Sequence, residues 1–276
     1  MRFGLDIAQH QLTWDEIVHR ARLAEEASLD GVWVFDHFKA LYADPMGPSL
    51  ESWTLLAGLA RETTTIRLGT LVTGMTHRHP SVLAAQVVTV DHLSNGRIEC
   101  AIGASWNEAE HRELGIGFPP VAERMDRLEE GVQVLKALFT QDHVTFEGRY
   151  LRLEGATYRP PPVQQPAPPI WIGGTGPKRT LPIAGRYADV WHGWADDADE
   201  YRFMRDIIDH AAEQAGRDPA SILRASSLSI SEDWDHVRRE YDWMAAEGMG
   251  YLVVEWPGEG EARVRDFLET VKPTLG

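Results

Sequence analysis

The chain has 276 residues, a formal net charge of −15, and 43% hydrophobic and 25% charged residues. This length supports a large core, and barrels of alternating strands and helices often form one domain of this size. The acidic balance disfavours nucleic acid and anionic membrane surfaces as partners, because both require basic protein surfaces. The single cysteine, Cys100, excludes an intrachain disulfide.

The N-terminal residues lead directly into an apolar strand pattern. No basic segment followed by a long apolar run is present there, so the sequence predicts neither a signal peptide nor a transmembrane span. The low cysteine content is typical of a reducing compartment. We therefore expect a cytoplasmic protein.

Hydrophobic periodicity predicts eight strands that alternate with helices. The predicted strands are residues 3–8, 31–35, 66–74, 98–103, 170–174, 189–193, 223–230 and 251–255. A capping box, Thr13-x-x-Glu16, begins the first helix. Further helices are predicted at residues 51–62, 80–93, 123–139, 200–215, 237–247 and 261–271. The alternation predicts a (β/α)₈ TIM barrel, with an open doubly wound sheet as the alternative.

The alternation is interrupted after the fourth predicted strand. The interrupting segment contains a helical turn at 108–114, the helix at 123–139, a hairpin at 144–153 and a proline-rich crossing at 160–169. Because the alternation resumes afterwards, we interpret residues 1–276 as a single domain with an insertion over residues 107–169.

A glycine-rich turn follows the fifth predicted strand. It reads Gly173-Gly174-Thr175-Gly176-Pro177-Lys178-Arg179. Glycines allow backbone N–H groups to approach a ligand closely, and Pro177 suits the first turn of a helix, whose N-terminus attracts anions. The turn therefore predicts a phosphate site, with a plain tight turn as the alternative. It lacks both the dinucleotide-fold glycine spacing and the phosphate-loop pattern.

In a barrel, the carboxyl ends of the strands form the active site. The polar residues at those predicted ends include Asp36-His37 on the second strand and His192, with Trp194, on the sixth. Histidine exchanges protons near neutral pH and a carboxylate can fix its tautomer, so these residues are catalytic candidates. A polar strand end without function is the alternative.

Two further patterns carry less chemistry. His77-x-His79 provides only two ligands without a carboxylate at ligand spacing, so no metal site is predicted. Cys100 alternates with isoleucines inside a strand and is interpreted as a core thiol.

Several motifs together are similar to those of a known family. They are Gly31-Val-Trp-Val-Phe-Asp-His37, Arg67-Leu-Gly-Thr-Leu-Val-Thr73, Arg78-His-Pro80, Leu93-Ser-Asn-Gly-Arg97, Gly103-Ala-Ser-Trp-Asn107 with Glu108 and Glu110, residues 170–179, and Ala188-Asp-Val-Trp-His-Gly-Trp194. In this order the chain resembles the luciferase-like monooxygenase superfamily, particularly its deazaflavin-dependent oxidoreductases, which use coenzyme F420.

The resemblance implies a role for each matched position. Asp36 and His37 would lie at the reactive face of the deazaflavin, and Leu71–Val72 would form a cis peptide behind the ring. The remaining implied coenzyme contacts are Gly103, Asn107, Gly173, Gly174, Thr175 and Gly176, with Lys178 or Arg179 assisting at the phosphate. His192 and Trp194 would line the pocket, and Trp106 is a further candidate for stacking on coenzyme or substrate.

One departure from the family pattern limits what the resemblance implies. Some deazaflavin dehydrogenases carry a proton-transferring glutamate directly after the strand-four glycine, where this chain has Ala104. We expect an oxidoreductase that transfers a hydride between F420 and a small organic substrate. The alternatives are a monooxygenase that uses flavin mononucleotide (FMN) and oxygen, and a coenzyme-binding protein without turnover. The resemblance also implies a homodimer.

Overall fold

Eight parallel strands form a closed barrel in the computed structural model, which describes residues 1–42 and 44–275. The strands are β1 (Arg2–Asp6), β2 (Gly31–Val34), β3 (Arg67–Thr70), β4 (Thr73–Gly74), β5 (Ile98–Gly103), β6 (Val144–Glu147), β7 (Arg152–Ala156), β8 (Ile170–Gly173), β9 (Val190–His192), β10 (Leu223–Leu228) and β11 (Tyr251–Glu255). The barrel order is β1-β2-β3-β5-β8-β9-β10-β11, and β11 pairs with β1. This confirms the predicted TIM barrel over the open sheet.

Helices follow the strands and surround the barrel. They are α1 (Trp14–Glu26), α2 (Ser52–Glu62), α3 (Pro80–Ser94), α4 (Glu108–Leu114), α5 (Val121–Thr140), α6 (Thr180–Tyr187), α7 (Ala198–Gln214), α8 (Trp234–Ala246) and α9 (Glu261–Asp266). The predicted capping box is confirmed, because Thr13 and Glu16 satisfy each other's backbone N–H at the start of α1. Among the described helices, none combines the length and apolar character needed to cross a bilayer.

The barrel interior is filled by aromatic side chains below the carboxyl ends of the strands. Trp33 and Trp171 lie with ring centroids 4.3 Å apart, and both pack edge-on against Tyr251. The indole of Trp33 donates to the Tyr251 hydroxyl at 3.3 Å, and that of Trp171 donates to buried Glu99 at 2.7 Å. These buried rings fill the barrel interior below the strand ends that hold the predicted site residues.

Two predicted helices differ from the structure. Pro177 does not open a helix: Leu181 N donates to Gly176 O, five residues back, and regular helical bonding begins with Ile183 N to Arg179 O. The wide first turn therefore delays α6 until Thr180. The last predicted helix, 261–271, is α-helical only over α9 and continues as a π-helix, Phe267–Val271.

The insertion contains the predicted hairpin. Strands β6 and β7 pair antiparallel and form a separate two-stranded sheet. Backbone amides of its connecting loop, at Arg149, Tyr150 and Leu151, donate to the carboxylate of Glu130 on α5. The hairpin is thereby fixed to the longest helix of the insertion. Cys100 is buried without exposure, as predicted for a core thiol.

Candidate active site

A cavity of about 830 Å³ opens at the carboxyl ends of the barrel strands. Its lining residues are Asp6, Ala8, Phe35, Asp36, His37, Tyr42, Leu71, Val72, Gly74, His77, Gly103, Ala104, Ser105, Trp106, Asn107, Met125, Gly173, Gly174, Thr180, His192, Trp194, Ser227, Glu255 and Trp256. The volume is in the range of small-molecule and cofactor sites. Within the described part of the chain, no lysine or arginine lines this cavity.

The peptide between Leu71 and Val72 is cis, which confirms the prediction at this position. It lies between β3 and β4, so the third barrel strand is interrupted where it reaches the cavity. The side chain of Val72 occupies the space beside two glycines. A Cβ on Gly103 would lie 2.7 Å from Val72 Cγ2, and one on Gly173 would lie 2.8 Å from Val72 Cγ1. Glycine at 103 and 173 is therefore required by the packing of Val72.

Asp36 anchors a buried polar network rather than projecting freely into the cavity. It is 2% exposed and accepts hydrogen bonds from Arg78 at 2.7 and 2.9 Å, from Ser52 at 2.6 Å and from Gly74 N at 3.0 Å. His77 Nδ1 lies 3.2 Å away. Burial alone would raise the pKa of this carboxyl, but the hydrogen bonds from His77 and Arg78 and the charge of Arg78 hold it well below its usual range. Asp36 is a permanent carboxylate, and its contacts favour a positioning role over direct proton transfer.

His37 is held by Glu110, a residue of the insertion. Its Nδ1 lies 2.8 Å from one Glu110 oxygen, and the other oxygen accepts from Phe38 N at 2.7 Å. Glu110 is 1% exposed. Burial would raise the pKa of Glu110, but the hydrogen bond and charge of His37 and the Phe38 amide outweigh it and lower the pKa. The ionised carboxylate can only accept, so Nδ1 carries a proton, and in the neutral imidazole Nε2 is then the acceptor.

Three side chains in this region have atoms of metal-ligand type within 4.8 Å of one another: His77, Glu110 and His111. All three also have protein partners. His111 Nδ1 lies 2.7 Å from Asn107 O and its Nε2 lies 2.6 Å from Thr76 Oγ1, while Glu110 holds His37. These contacts describe a hydrogen-bonded network that attaches α4 to the barrel. His79, the other histidine of the His77-x-His79 pattern, is not part of this group and caps α3 by accepting from Ser81 N.

Part of the glycine-rich turn lines the cavity. Gly173 and Gly174 line it, but the Gly174 amide already donates to His192 O at 2.9 Å. Within the described residues, the amides of Thr175 and Gly176 have no hydrogen-bond partner, so these two donors remain for an anion. The backbone amides available to bind an anion are therefore fewer than the four, at residues 173–176, that the sequence predicted.

The two cations predicted beside that turn lie outside the cavity lining. Arg179 pairs with Asp126 at 2.6 Å and with Glu129 at 3.4 Å. Lys178 is exposed and makes no hydrogen bond or ion pair among the described residues. Their assistance to a phosphate stays a prediction, and the structure leaves Lys178 as the freer of the two.

The remaining predicted residues lie at the cavity as expected from the barrel. Asn107 caps α4 by accepting from Glu110 N at 3.2 Å. Trp106 and Trp194 are 67% and 61% exposed at the rim, and the Trp106 ring lies 5.6 Å from that of His37. His192 is buried, which lowers its pKa to about 4, and its polar contact is Ser227 Oγ at 3.4 Å. His192 is thus neutral at physiological pH.

Sequence reasoning missed three acidic residues at the site. Glu110 was noted only as part of a motif, although its position three residues after Asn107 places it on the first turn of a capped helix. Asp6 and Glu255 are the last residues of β1 and β11, and the strand-end rule that found Asp36 also applies to them. They were overlooked because the family motifs do not include them.

Comparison with known proteins agrees with this geometry. The family model for luciferase-like monooxygenases matches residues 1–272. The chain therefore belongs to the luciferase-like monooxygenase family.

Individual relatives are more distant. The chain is 29% identical to the F420-dependent hydroxymycolic acid dehydrogenase of Mycobacterium tuberculosis, over 82% of this chain and 61% of that protein. It is 32% identical to the F420-dependent glucose-6-phosphate dehydrogenase of Kineococcus radiotolerans, over 85% of this chain and 69% of that protein. The structure superposes with a TM-score of 0.89 on an F420-dependent secondary alcohol dehydrogenase in complex with an F420-acetone adduct. That match covers 100% of this chain and 99% of the other at 20% identity, so it supports the fold alone.

Proposed function

We propose that the protein is an F420-dependent oxidoreductase that transfers a hydride between the deazaflavin and a small organic substrate. The observation that carries this proposal is the His37–Glu110 pair, in which a buried carboxylate fixes a histidine at the wall of the cavity. The F420-dependent relatives support the choice of coenzyme.

The described residues fit such a coenzyme. The partnerless amides of Thr175 and Gly176 supply donors for its phosphate, with Gly173 and Gly174 beside them. Leu71, Val72 and Gly103 line the cavity where its ring would lie, and Asn107 adds a polar side chain to the lining. The coenzyme supplies the hydride chemistry, and the protein supplies orientation and proton transfer.

His37 would move the proton that accompanies the hydride. With Nδ1–H donated to Glu110, Nε2 can accept the hydroxyl proton of an alcohol substrate, and the adjacent carboxylate stabilises the resulting imidazolium. This arrangement would supply the proton transfer that the family resemblance assigns to a glutamate at the position of Ala104. Asp36 would act indirectly, by holding Gly74 and His77 in place at the cavity wall. His192, Trp106 and Trp194 would contact substrate.

Anaerobic titration tests the proposal. We expect F420 to bind more tightly than FMN, followed by reduction of F420 when secondary alcohols are added to the complex. Absorbance and fluorescence of the coenzyme report both steps. Equal or weaker binding of F420 would favour the FMN-dependent monooxygenase, and binding without any reduction or oxidation would favour a coenzyme carrier.

Three organisational features remain part of the proposal. We propose a single domain with an insertion over residues 107–169, within which the hairpin is hydrogen-bonded to α5. A homodimer and a cytoplasmic location are supported only by the family resemblance and by the composition. Sedimentation of the purified protein tests whether it is a homodimer.

A further inference from the structure

One wall of the cavity carries two carboxyl groups that the proposed chemistry does not use. Asp6 and Glu255 are register partners on the neighbouring strands β1 and β11, and both line the cavity. Adjacent strands lie about 4.8 Å apart, so the two side chains leave the sheet side by side. We call this pair the carboxyl wall.

Among the described residues, no lysine or arginine forms a direct ion pair with the carboxyl wall. Asp6 is 6% exposed, its Oδ1 accepts from Ala8 N at 2.9 Å, and its Oδ2 has no partner among the described residues. The Glu255 side chain makes no hydrogen bond or ion pair in the described part of the chain, and it is accessible through the cavity. Paired native carboxylates normally have cationic or hydrogen-bonding partners, so this wall is incomplete by itself.

The nearest cation is committed elsewhere. Arg20 on α1 donates to Ile7 O at 2.8 Å, and its guanidinium lies 3.8 Å from the centre of the Trp256 ring. It makes no ion pair within 4.0 Å of either carboxyl in the described structure, and it does not line the cavity. Burial, followed by the charge of Glu255, raises the pKa of Asp6 to about 7, although the Ala8 hydrogen bond and the charge of Arg20 partly oppose this rise; burial also raises the pKa of Glu255. A positive charge placed between the two carboxyl groups would lower both pKa values.

The carboxyl wall faces the side of the cavity away from the proposed coenzyme phosphate. In the barrel order, β8 lies four strands from β1 in both directions. The glycine turn follows β8, and β5, with Gly103, lies opposite β11. A coenzyme held at the turn therefore leaves the carboxyl wall for the substrate.

We propose that the carboxyl wall is a subsite for a cationic nitrogen of the substrate, an amine or a quaternary ammonium group. The inference rests on the proposed function for its account of which side the coenzyme occupies. Among the described residues no lysine or arginine lines the cavity, so a cationic group meets no like charge in its lining. Trp256, the residue after Glu255, also lines the cavity, and an aromatic side chain suits the alkyl part of such a cation.

A matched pair of probes tests the subsite. Choline and 3,3-dimethylbutan-1-ol have the same shape and differ in the positive charge. Their affinities are measured by ligand-observed NMR titration at pH 8, with the apoprotein and with protein saturated with F420. We expect choline to bind about tenfold more tightly, since an ion in a poorly solvated cavity gains several times more from a nearby carboxylate than in water.

Two substitutions that remove a negative charge and keep the shape of the side chain test whether the carboxyl wall binds the cation. Glu255→Gln and Asp6→Asn should each reduce the preference for choline several-fold and leave binding of the neutral alcohol unchanged. Glu154→Gln, on the exposed hairpin strand β7, removes one charge outside the cavity and should change neither affinity. Equal binding of the two probes by the wild-type protein, or an unchanged preference in both wall variants, would overturn the subsite.

The same titration separates this inference from the proposed function. If F420 fails to bind, the oxidoreductase proposal fails, while the choline preference of the apoprotein still supports or overturns the carboxyl wall. If F420 binds and the protein shows no preference for choline over the neutral alcohol, only the proposed role of the carboxyl wall is refuted.

Discussion

Glu110→Gln is the substitution that most directly tests the role of His37. The carboxylate accepts two hydrogen bonds, from His37 Nδ1 at 2.8 Å and from Phe38 N at 2.7 Å. An amide of the same shape has one acceptor oxygen. If that oxygen stays with the Phe38 amide, the NH₂ group faces His37 and selects the tautomer with the proton on Nε2. The nitrogen that faces the cavity then loses its ability to accept a proton.

The expected loss follows from the bond that is removed. A hydrogen bond to a charged group contributes about 1.5–3 kcal/mol, which corresponds to roughly a 10- to 100-fold decrease in the rate of hydride transfer. Coenzyme affinity should change little, because Glu110 does not line the cavity. Stopped-flow measurement of coenzyme reduction separates the chemical step from binding. The substrate is a secondary alcohol that reduces bound F420 in the anaerobic titration described above.

Nitrogen NMR of the imidazole gives a readout that needs no substrate. We expect the Nδ1–H tautomer of His37 in the wild-type protein and the Nε2–H tautomer in Glu110→Gln. As a control, Glu108→Gln changes a neighbouring acidic residue on the same helical turn that makes no contact with His37. An unchanged tautomer together with an unchanged hydride-transfer rate would refute the assignment of His37 as the base.

Three further predictions concern the coenzyme, the packing and the pH dependence of stability. Lys178→Ala should weaken F420 binding by up to about tenfold in a fluorescence titration, whereas Arg179→Ala should have little effect because acidic neighbours already hold that guanidinium. Gly173→Ala should lower the free energy of unfolding by about 1–3 kcal/mol in denaturant titrations, because its Cβ would overlap a valine; Gly258→Ala, with open space around it, is the control. Asp6→Asn should become more stable relative to wild type as the pH rises from 5 to 8. The folded pKa of about 7 exceeds the unfolded value of 3.8, so the wild-type protein loses about 4 kcal/mol in total as the carboxyl ionises, of which roughly 3 kcal/mol is lost between pH 5 and 8. A constant stability difference over the same pH range would contradict this reasoning.

The barrel could be predicted because its signal is local. Apolar runs such as residues 31–34 and 170–173 read as strands buried on both faces, and the rule for strand ends then placed Asp36, His37 and His192 at one cavity. The cis peptide was predicted from the motif match alone. Each of these inferences required only neighbouring residues or a known order of motifs.

The partners of those residues could not be predicted in the same way. His37 and Glu110 are 73 residues apart, and their contact depends on how the insertion folds back over the barrel. The ion pair that removes Arg179 from the glycine turn depends on the position of α5, which carries Asp126. Periodicity specifies that α5 is a helix and which face is apolar, but it does not specify where the polar face lies relative to a distant turn.

Asp36 and His37 show how one strand end serves two functions. Successive residues of an extended strand point in opposite directions, so the two side chains enter different surroundings. Asp36 turns into the protein, where Arg78 neutralises it and Gly74 N donates to it at 3.0 Å. That bond ties the end of β2 to β4, directly beyond the cis peptide. His37 turns toward the cavity, and Glu110 fixes it from the insertion. The backbone that would support the coenzyme ring and the base that would receive the substrate proton are therefore set by adjacent residues, so a shift of this strand end would displace both together.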